Sequence, residues 1–194
     1  IEYYSPIPFL LIQGDNDWND CPKPDEAKVF FDTSFIGHET FWLDRPFPLQ
    51  NGTTIPGFSL PSSFRRQAGV QENFAMDHEG ILFVCVNLIE LDSMSQTEFD
   101  TVIASDVQWV ADAIDSFFQT YGSTPRAMIL LGHPLRRPNI LPFFDALQPI
   151  FYEEAWLVKG DVREGMDFPV VYMHGDGHNY DVDIRMQEYT ELNW

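Results

Sequence analysis

The sequence predicts an α/β fold built as one domain over residues 1–194, and its apolar pattern and composition support this. Short apolar runs typical of buried strands alternate along the chain with segments whose apolar residues recur at helical spacing. Several of these runs end at a glycine, as expected where a strand enters a tight turn. A length of 194 residues with 44% hydrophobic side chains suits a single domain with a sizeable core.

The first part of the chain predicts a strand, a helix and an irregular segment. Residues 8–13 form a short apolar run that Gly14 ends, which predicts a buried strand. The spacing of alanine and phenylalanine predicts a helix from Asp25 to about Phe35, with acidic side chains in its first turn. Residues 44–66 contain four prolines together with Gly and Ser, so we expect an irregular excursion there.

A hairpin and a long helix follow. Residues 73–76 and 80–88, joined by the letters DHEG, predict a β-hairpin whose second strand is apolar on both faces and therefore central in a sheet. Ser95 and Glu98 match a capping box, and Gly122 ends the helix that begins there. The helical period predicts a core-facing side made of Phe99, Val102, Ile103, Asp106, Trp109, Val110, Ala113, Ile114 and Phe117.

The last part of the chain alternates strands and a helix again. We expect a buried strand at 127–131, a helix from 142 to about 152, and a strand at 169–173. Residues 180–186 alternate apolar and polar side chains and predict a further strand paired with the preceding one.

The charge of the chain is strongly acidic, with 11 Lys and Arg against 30 Asp and Glu and a formal net charge of −19. Such a surface repels phosphate backbones and anionic lipids, so we expect neither nucleic acid nor a membrane surface as a partner. No apolar stretch approaches the roughly 20 residues that cross a bilayer. The acidic balance suits cations and a secreted or high-salt setting.

Three short signals bear on the compartment. The chain begins without Met and without a basic leader, which indicates a processed, truncated or partly observed product. Cys21 and Cys85 could form a disulfide, and Asn51 begins an Asn-Gly-Thr glycosylation sequon. Two buried thiols and a chance sequon explain the same residues equally well. The expected location is extracellular or lumenal.

Polar side chains follow three of the apolar runs, directly after a glycine in each case. The three segments are GDND at 14–17, GH at 132–133 and HGDGH at 174–178. Because ligands collect at the carboxyl ends of strands in open α/β sheets, the three segments could converge on one site. Imidazole and carboxylate together are typical ligands of a divalent metal ion.

The segments also have other interpretations than a shared metal site. Asp15, Asp17, Asn19 and Glu26 match positions of a calcium-binding loop, but Asp20 stands where that loop needs Gly. Asp and Asn are common in turns and helix caps, which would explain the first segment without a metal. A single histidine such as His133 is often only a packed, hydrogen-bonded side chain.

Together the three segments resemble the calcineurin-like metallophosphoesterases. The family pattern runs D-x-H, GDxxD, GNH(D/E), a later His and GHxH, and here GDND, GHP and GDGH match the third, fourth and fifth blocks. The resemblance spans nearly the whole chain and the C-terminal portion of the family domain. It implies a four-layer αββα sandwich whose N-terminal part is missing, and a two-metal centre that hydrolyses phosphate esters.

The resemblance also implies a role for individual residues. Metal ligands would be Asp15, His133 and Asp176 on one ion and His178 on the other. Asn16 stands where the family has the histidine that contacts phosphate and can protonate the leaving group, and Asp17 stands where the family has the acid that orients it. An amide can hold a phosphate oxygen but cannot act as a general acid.

Two functions follow from the resemblance. The first is metal-dependent hydrolysis of a phosphomonoester or phosphodiester with two divalent ions, which could be Fe, Mn, Zn or Co. Neither D-x-H nor GDxxD precedes Asp15, so this activity requires ligands from an N-terminal half of the domain or from a partner chain. The second is a non-catalytic metallophosphoesterase-like module that serves a structural or binding role in a larger assembly.

Overall fold

The computed structural model describes most of the chain between residues 10 and 175, in separate ranges. These are 10–14, 21–37, 39–40, 46–48, 51–57, 59–88, 95–122, 125–134, 138–152, 155–158, 161–164 and 169–175. The helices are α1 (Pro24–Ser34), α2 (Gln96–Tyr121) and α3 (Leu141–Tyr152), with a 3-10 turn at Pro138–Ile140. The strands are β1 (Phe47–Pro48), β2 (Thr54–Ile55), β3 (Arg65–Gln67), β4 (Val70–His78), β5 (Ile81–Cys85), β6 (Ala127–Gly132), β7 (Ala155–Val158), β8 (Asp161–Glu164) and β9 (Val170–His174).

The main sheet has five strands in the order β3-β4-β5-β6-β9. Its first three strands pair antiparallel, whereas β5, β6 and β9 run parallel to one another. The α/β prediction is therefore confirmed as a mixed sheet with three helices in the described part of the chain. The apolar strand β5 is central, as its two apolar faces predict.

The predicted hairpin is confirmed and is formed by β4 and β5. Its turn places Glu79 and Gly80 at φ values of 49° and 81°, so both residues have positive φ. Turns of this kind fit the right-handed twist of the flanking strands, and glycine adopts positive φ at no steric cost. β4 begins at Val70, three residues before the predicted start at Asn73.

The capping box of α2 is also confirmed. The Ser95 Oγ accepts a hydrogen bond from the Glu98 N–H at 3.3 Å, and the Ser95 N–H donates to the Glu98 carboxylate at 2.9 Å. Gly122 ends the helix in the left-handed conformation with φ 60°. Of the predicted core-facing residues only Val102 is not fully buried, and Phe118 joins the buried set.

The core lies between one face of the sheet and helices α2 and α3. The sheet contributes alternate residues, because successive side chains of a strand point to opposite faces. These core residues include Leu82, Val84, Val86, Met128 and Leu130 from the strands and Phe99, Val110, Ile114, Phe143 and Leu147 from the helices. On the edge strand β9, Val171 is 49% exposed and Met173 is 53% exposed.

The helix predicted from Asp25 to about Phe35 is confirmed as α1, although it buries only Phe31 and leaves Phe30 64% exposed. Two other predictions about elements are wrong. Residues 10–13, the described part of the first predicted strand, belong to no strand, because an apolar run signals burial but not β pairing. The segment 44–66 is not wholly irregular, since β1 pairs with β2 and β3 begins inside it.

The remaining observed and predicted strands lie after α3 or near the end of the chain. The antiparallel pair β7 and β8, which the sequence reading did not predict, forms a separate two-stranded sheet. The strand predicted at 180–186 lies outside the described residues. No helix in the described ranges is both long enough and apolar enough to cross a membrane.

The two cysteines are not joined by a disulfide, although both lie in the described part of the chain. Cys85 is fully buried at the end of β5, and burial raises the pKa of its thiol. Asn51 lies exposed at the end of the β1–β2 hairpin, where its Oδ1 accepts hydrogen bonds from the Thr53 N–H at 3.0 Å and the Thr53 hydroxyl at 2.6 Å.

Candidate functional site

The parallel strands β5, β6 and β9 end at the same edge of the sheet. Cys85 lies beside Leu131 in the register of β5 and β6, and Gly132 lies beside His174 in the register of β6 and β9. His133 directly follows the last residue of β6. This edge is where the ligand sites of open α/β sheets form, so it is the candidate functional site.

Two glycines pack against the ring of His133. A Cβ atom at Gly14 would lie 3.0 Å from Cε1 and 3.1 Å from Nδ1 of His133, and a Cβ atom at Gly175 would lie 3.5 Å from Nδ1. The Gly175 N–H also donates to the His133 carbonyl oxygen at 3.1 Å. The absence of a side chain at Gly14 therefore permits the close approach of this segment to the imidazole.

Tyr172 supports the backbone of the turn after β6, in which His133 lies. Its hydroxyl donates to the Pro134 carbonyl oxygen at 2.7 Å, and a Cβ atom at Gly132 would lie 2.8 Å from that hydroxyl oxygen. Gly132 is thus required by the position of the tyrosine in the neighbouring strand. The Tyr172 ring packs edge-on against Phe144 of α3, with 5.0 Å between ring centroids. The turn after β6 is therefore tied to both the sheet and the helix layer.

Of the residues predicted to carry the chemistry, only His133 lies in the described part of the chain. Outside it lie Asp15, Asn16, Asp17, Asp176 and His178. Their immediate neighbours Gly14 and Gly175 are described, and both contact His133. One residue from each of the three predicted segments, Gly14, His133 and Gly175, therefore lies close to the others, although Gly14 does not follow a strand.

The described ranges contain no group of three or more His, Cys, Asp or Glu side chains placed to hold a metal ion. They include His133 but none of the other predicted ligands, so this finding bears on the described residues alone. His133 carries an imidazole just after the end of β6, and the glycines 14 and 175 lie close to its ring. That chemistry fits one ligand of a divalent ion whose other ligands come from adjacent segments.

The buried polar residues behind this edge were not predicted from the sequence as site residues. Asn73 on β4, Asp106 on α2 and Asn87 just after β5 are all buried. The Asn73 Nδ2 donates to the Asp106 carboxylate at 2.7 Å, and the Asn73 Oδ1 accepts the backbone N–H of Asn87. Burial is the main reason that the pKa of Asp106 is raised to about 7. The signal available in the sequence was an aspartate on the apolar side of α2.

A cavity of about 320 Å³ lies elsewhere in the fold, between α2 and the first strands of the sheet. Its lining includes Asp77 and Leu82, which pair at the start of β5, the end farther from His133. The Asp77 carboxylate already accepts the Tyr121 hydroxyl at 2.6 Å, and that bond raises the pKa of Tyr121. The cavity is therefore separate from the candidate site.

Comparison of the chain with protein-family models finds no match. Neither a curated protein nor a solved structure matches it. The resemblance to metallophosphoesterases consequently depends on the three motifs and remains a prediction.

Proposed function

We propose that the chain is the C-terminal portion of a metallophosphoesterase that hydrolyses phosphomonoesters or phosphodiesters. The observation that carries the proposal is the contact of Gly14 and Gly175 with the His133 ring. Gly14 immediately precedes Asp15 in the chain, and Gly175 immediately precedes Asp176. In the proposal Asp15 and Asp176 share an ion with this imidazole.

In this proposal Asp15, His133 and Asp176 hold one divalent ion and His178 holds the second. Divalent ions at such sites supply Lewis-acid stabilisation of charge on phosphate oxygens and lower the pKa of water. Asn16 holds a phosphate oxygen through its amide, and Asp17 orients Asn16. Asn16 has no proton to give at neutral pH, so the chain supplies no general acid at this position.

The proposal also includes a finer architecture, the αββα sandwich, in which this sheet would be one of two sheets. It is supported by a difference between the two faces of the sheet. Helices α2 and α3 cover one face, whereas Val171 and Met173 of β9 are about half exposed. Parallel strands are normally covered on both faces, so a second layer is expected here. That layer would come from an N-terminal half or a partner chain, which would also supply the missing ligands.

Metal content and hydrolysis of the purified protein test the proposal together. Elemental analysis gives the number of bound ions, and p-nitrophenyl phosphate and bis(p-nitrophenyl) phosphate report the two ester classes. We expect His133→Ala and His178→Ala each to lose metal and activity. His78→Ala is the matched control, because His78 is exposed at the far end of β4. Equal metal content and activity in all three variants would refute the ligand assignment.

The alternative is a non-catalytic module of the same fold, and Asn16 favours it, because an amide replaces the proton-donating histidine of the family. The same experiment separates the two functions. With the N-terminal half or the partner chain present, metal bound at His133 without hydrolysis of either ester would favour the structural module, and metal-dependent hydrolysis that is lost in His133→Ala would favour the enzyme.

A further inference from the structure

The structure contains a buried amide beside the candidate site that belongs to none of the three motifs. Asn87 lies two residues beyond the end of β5 and is 6% exposed. The Val86 N–H donates to the Leu131 carbonyl oxygen at 2.9 Å, which extends the parallel pairing of Cys85 with Leu131 by one residue. Continuing this register places Asn87 beside His133 at the end of the neighbouring strand.

The alternation of side chains along the strands indicates which face each residue would share. Val84, Val86 and Leu88 lie in the core under the helices, as does Leu130 of β6. Because side chains alternate along a strand, a continuation of β5 and β6 by a few residues would place Asn87 and His133 on the face opposite these core residues. The register therefore brings an amide and an imidazole to neighbouring positions.

The backbone of Asn87 is held from the helix side by a polar network. Asn73 Oδ1 accepts the Asn87 N–H, and Asn73 Nδ2 donates to Asp106 at 2.7 Å and to the Gln67 Oε1 at 2.6 Å. Each of these side chains makes more than one hydrogen bond or is buried. The network therefore fixes the position of the chain at Asn87 rather than that of its side chain.

The amide oxygen of Asn87 has no partner within the described part of the chain. Its Oδ1 is buried and accepts no hydrogen bond. An unsatisfied buried acceptor destabilises the folded state, so such groups in folded proteins normally have a specific reason. A divalent cation is one ligand that satisfies a bare amide oxygen, because Asn carbonyl oxygens are common ligands of hard cations.

We propose that the Asn87 Oδ1 is an oxygen ligand of the divalent cation held by His133. This inference rests on the proposed function, and it adds a ligand that the sequence motifs do not contain. An imidazole that follows β6 and an amide oxygen that follows β5 then approach the ion from neighbouring segments, with the Asn73 network behind Asn87.

Isothermal titration with Mn²⁺ tests this ligand without any need for catalysis. The titrations compare the wild-type full chain with Asn87→Ala, Asn87→Asp and His133→Ala. Asn51→Ala and Asn51→Asp are matched controls, because Asn51 is exposed in the β1–β2 hairpin. We expect Asn87→Ala to weaken Mn²⁺ binding by about tenfold or more, a loss of the size seen when metal-site residues are removed. We expect Asn87→Asp to retain or strengthen binding, since a carboxylate is the stronger ligand.

The outcomes separate this inference from the proposed function. If His133→Ala loses Mn²⁺ while Asn87→Ala binds it as the wild type does, Asn87 is not a ligand and the proposed function stands. If the wild type itself binds no Mn²⁺, or if His133→Ala binds it unchanged, both fail. Circular dichroism of the metal-free variants checks folding. If Asn87→Ala does not fold, Asn87→Asp decides, and weaker binding than the wild type in that variant overturns the inference.

Discussion

Replacing Asp106 with Asn tests the buried polar network most sharply. Asp106 is 1% exposed, and its Oδ2 has no hydrogen-bond partner in the described ranges. Burial favours the neutral carboxyl, which raises its pKa from 3.8 to about 7 in the folded chain. The folded state therefore holds this proton more tightly than the unfolded state, so the stability contributed by Asp106 falls as pH rises from about 4 to about 7 and is constant above that range.

The size of the effect follows from the shift. Each pKa unit corresponds to about 1.4 kcal/mol, so a shift of about three units corresponds to about 4 kcal/mol in total. Of this, about 3 kcal/mol is lost between pH 5 and pH 8. Asp106→Asn keeps an oxygen for the Asn73 amide but carries no charge, so its stability lacks this dependence. As pH rises from 5 to 8, we expect the free energy of unfolding of the variant to increase relative to that of the wild type by up to about 3 kcal/mol.

Urea unfolding of both proteins at several pH values between 5 and 9 measures this difference directly. Taking the difference between variant and wild type cancels the titration of the other acidic side chains. Asp100→Asn is the matched control, because Asp100 is exposed on the same helix. A stability difference between Asp106→Asn and the wild type that does not change between pH 5 and pH 8 would show that burial does not raise the pKa of Asp106.

Three further changes probe the edge of the sheet that carries His133. Gly14→Val adds a side chain where even a Cβ would lie 3.0 Å from the His133 ring, so we expect weaker Mn²⁺ binding by titration, and unchanged binding would contradict the close approach. Tyr172→Phe removes the hydrogen bond to the Pro134 carbonyl and should lower the free energy of unfolding by about 1 kcal/mol in urea, whereas no loss would mean that the bond is unimportant. Gln13→Met removes a buried amide whose oxygen and nitrogen both lack partners in the described residues, so we expect a higher melting temperature. A lower melting temperature would show that this amide has a partner.

Much of the fold could be predicted because local signals agreed with tertiary packing. The turn at Glu79 and Gly80, the cap at Ser95 and the left-handed Gly122 each require particular residue types, so they mark element ends reliably. The strands β6 and β9 were evident as apolar runs that ended at glycine. The register that places their ends together could be anticipated only as a tendency of parallel sheets.

The errors arose where burial and pairing depend on distant residues. Residues 10–14 look like a strand because they are apolar, but pairing requires a partner strand that the sequence does not reveal. Phe30 matches the helical spacing of the core residues, yet α1 buries only Phe31. An exposed aromatic residue and a buried one look alike when the packing partners are unknown.

In the candidate site, His133 could be predicted from the sequence and the buried polar residues near it could not. His133 stands out because it follows an apolar strand and a glycine. Asn87 has no such signal, since its position at this end of the sheet depends on the register of β5 with β6. Asn73 and Asp106 are likewise separated by more than thirty residues in the chain and meet only in the folded structure.

Anomalous diffraction from crystals soaked in Zn²⁺ is the sharpest test for a metal site at His133, because it locates the ion without reference to activity. We expect a peak at about 2.0–2.1 Å from a ring nitrogen of His133, the usual Zn–N distance. We also expect the segments following Gly14 and Gly175 to contribute ligands to the same ion. A His133 ring with no peak near it, in crystals that hold Zn²⁺ elsewhere, would contradict the claim that these strand ends form a metal site.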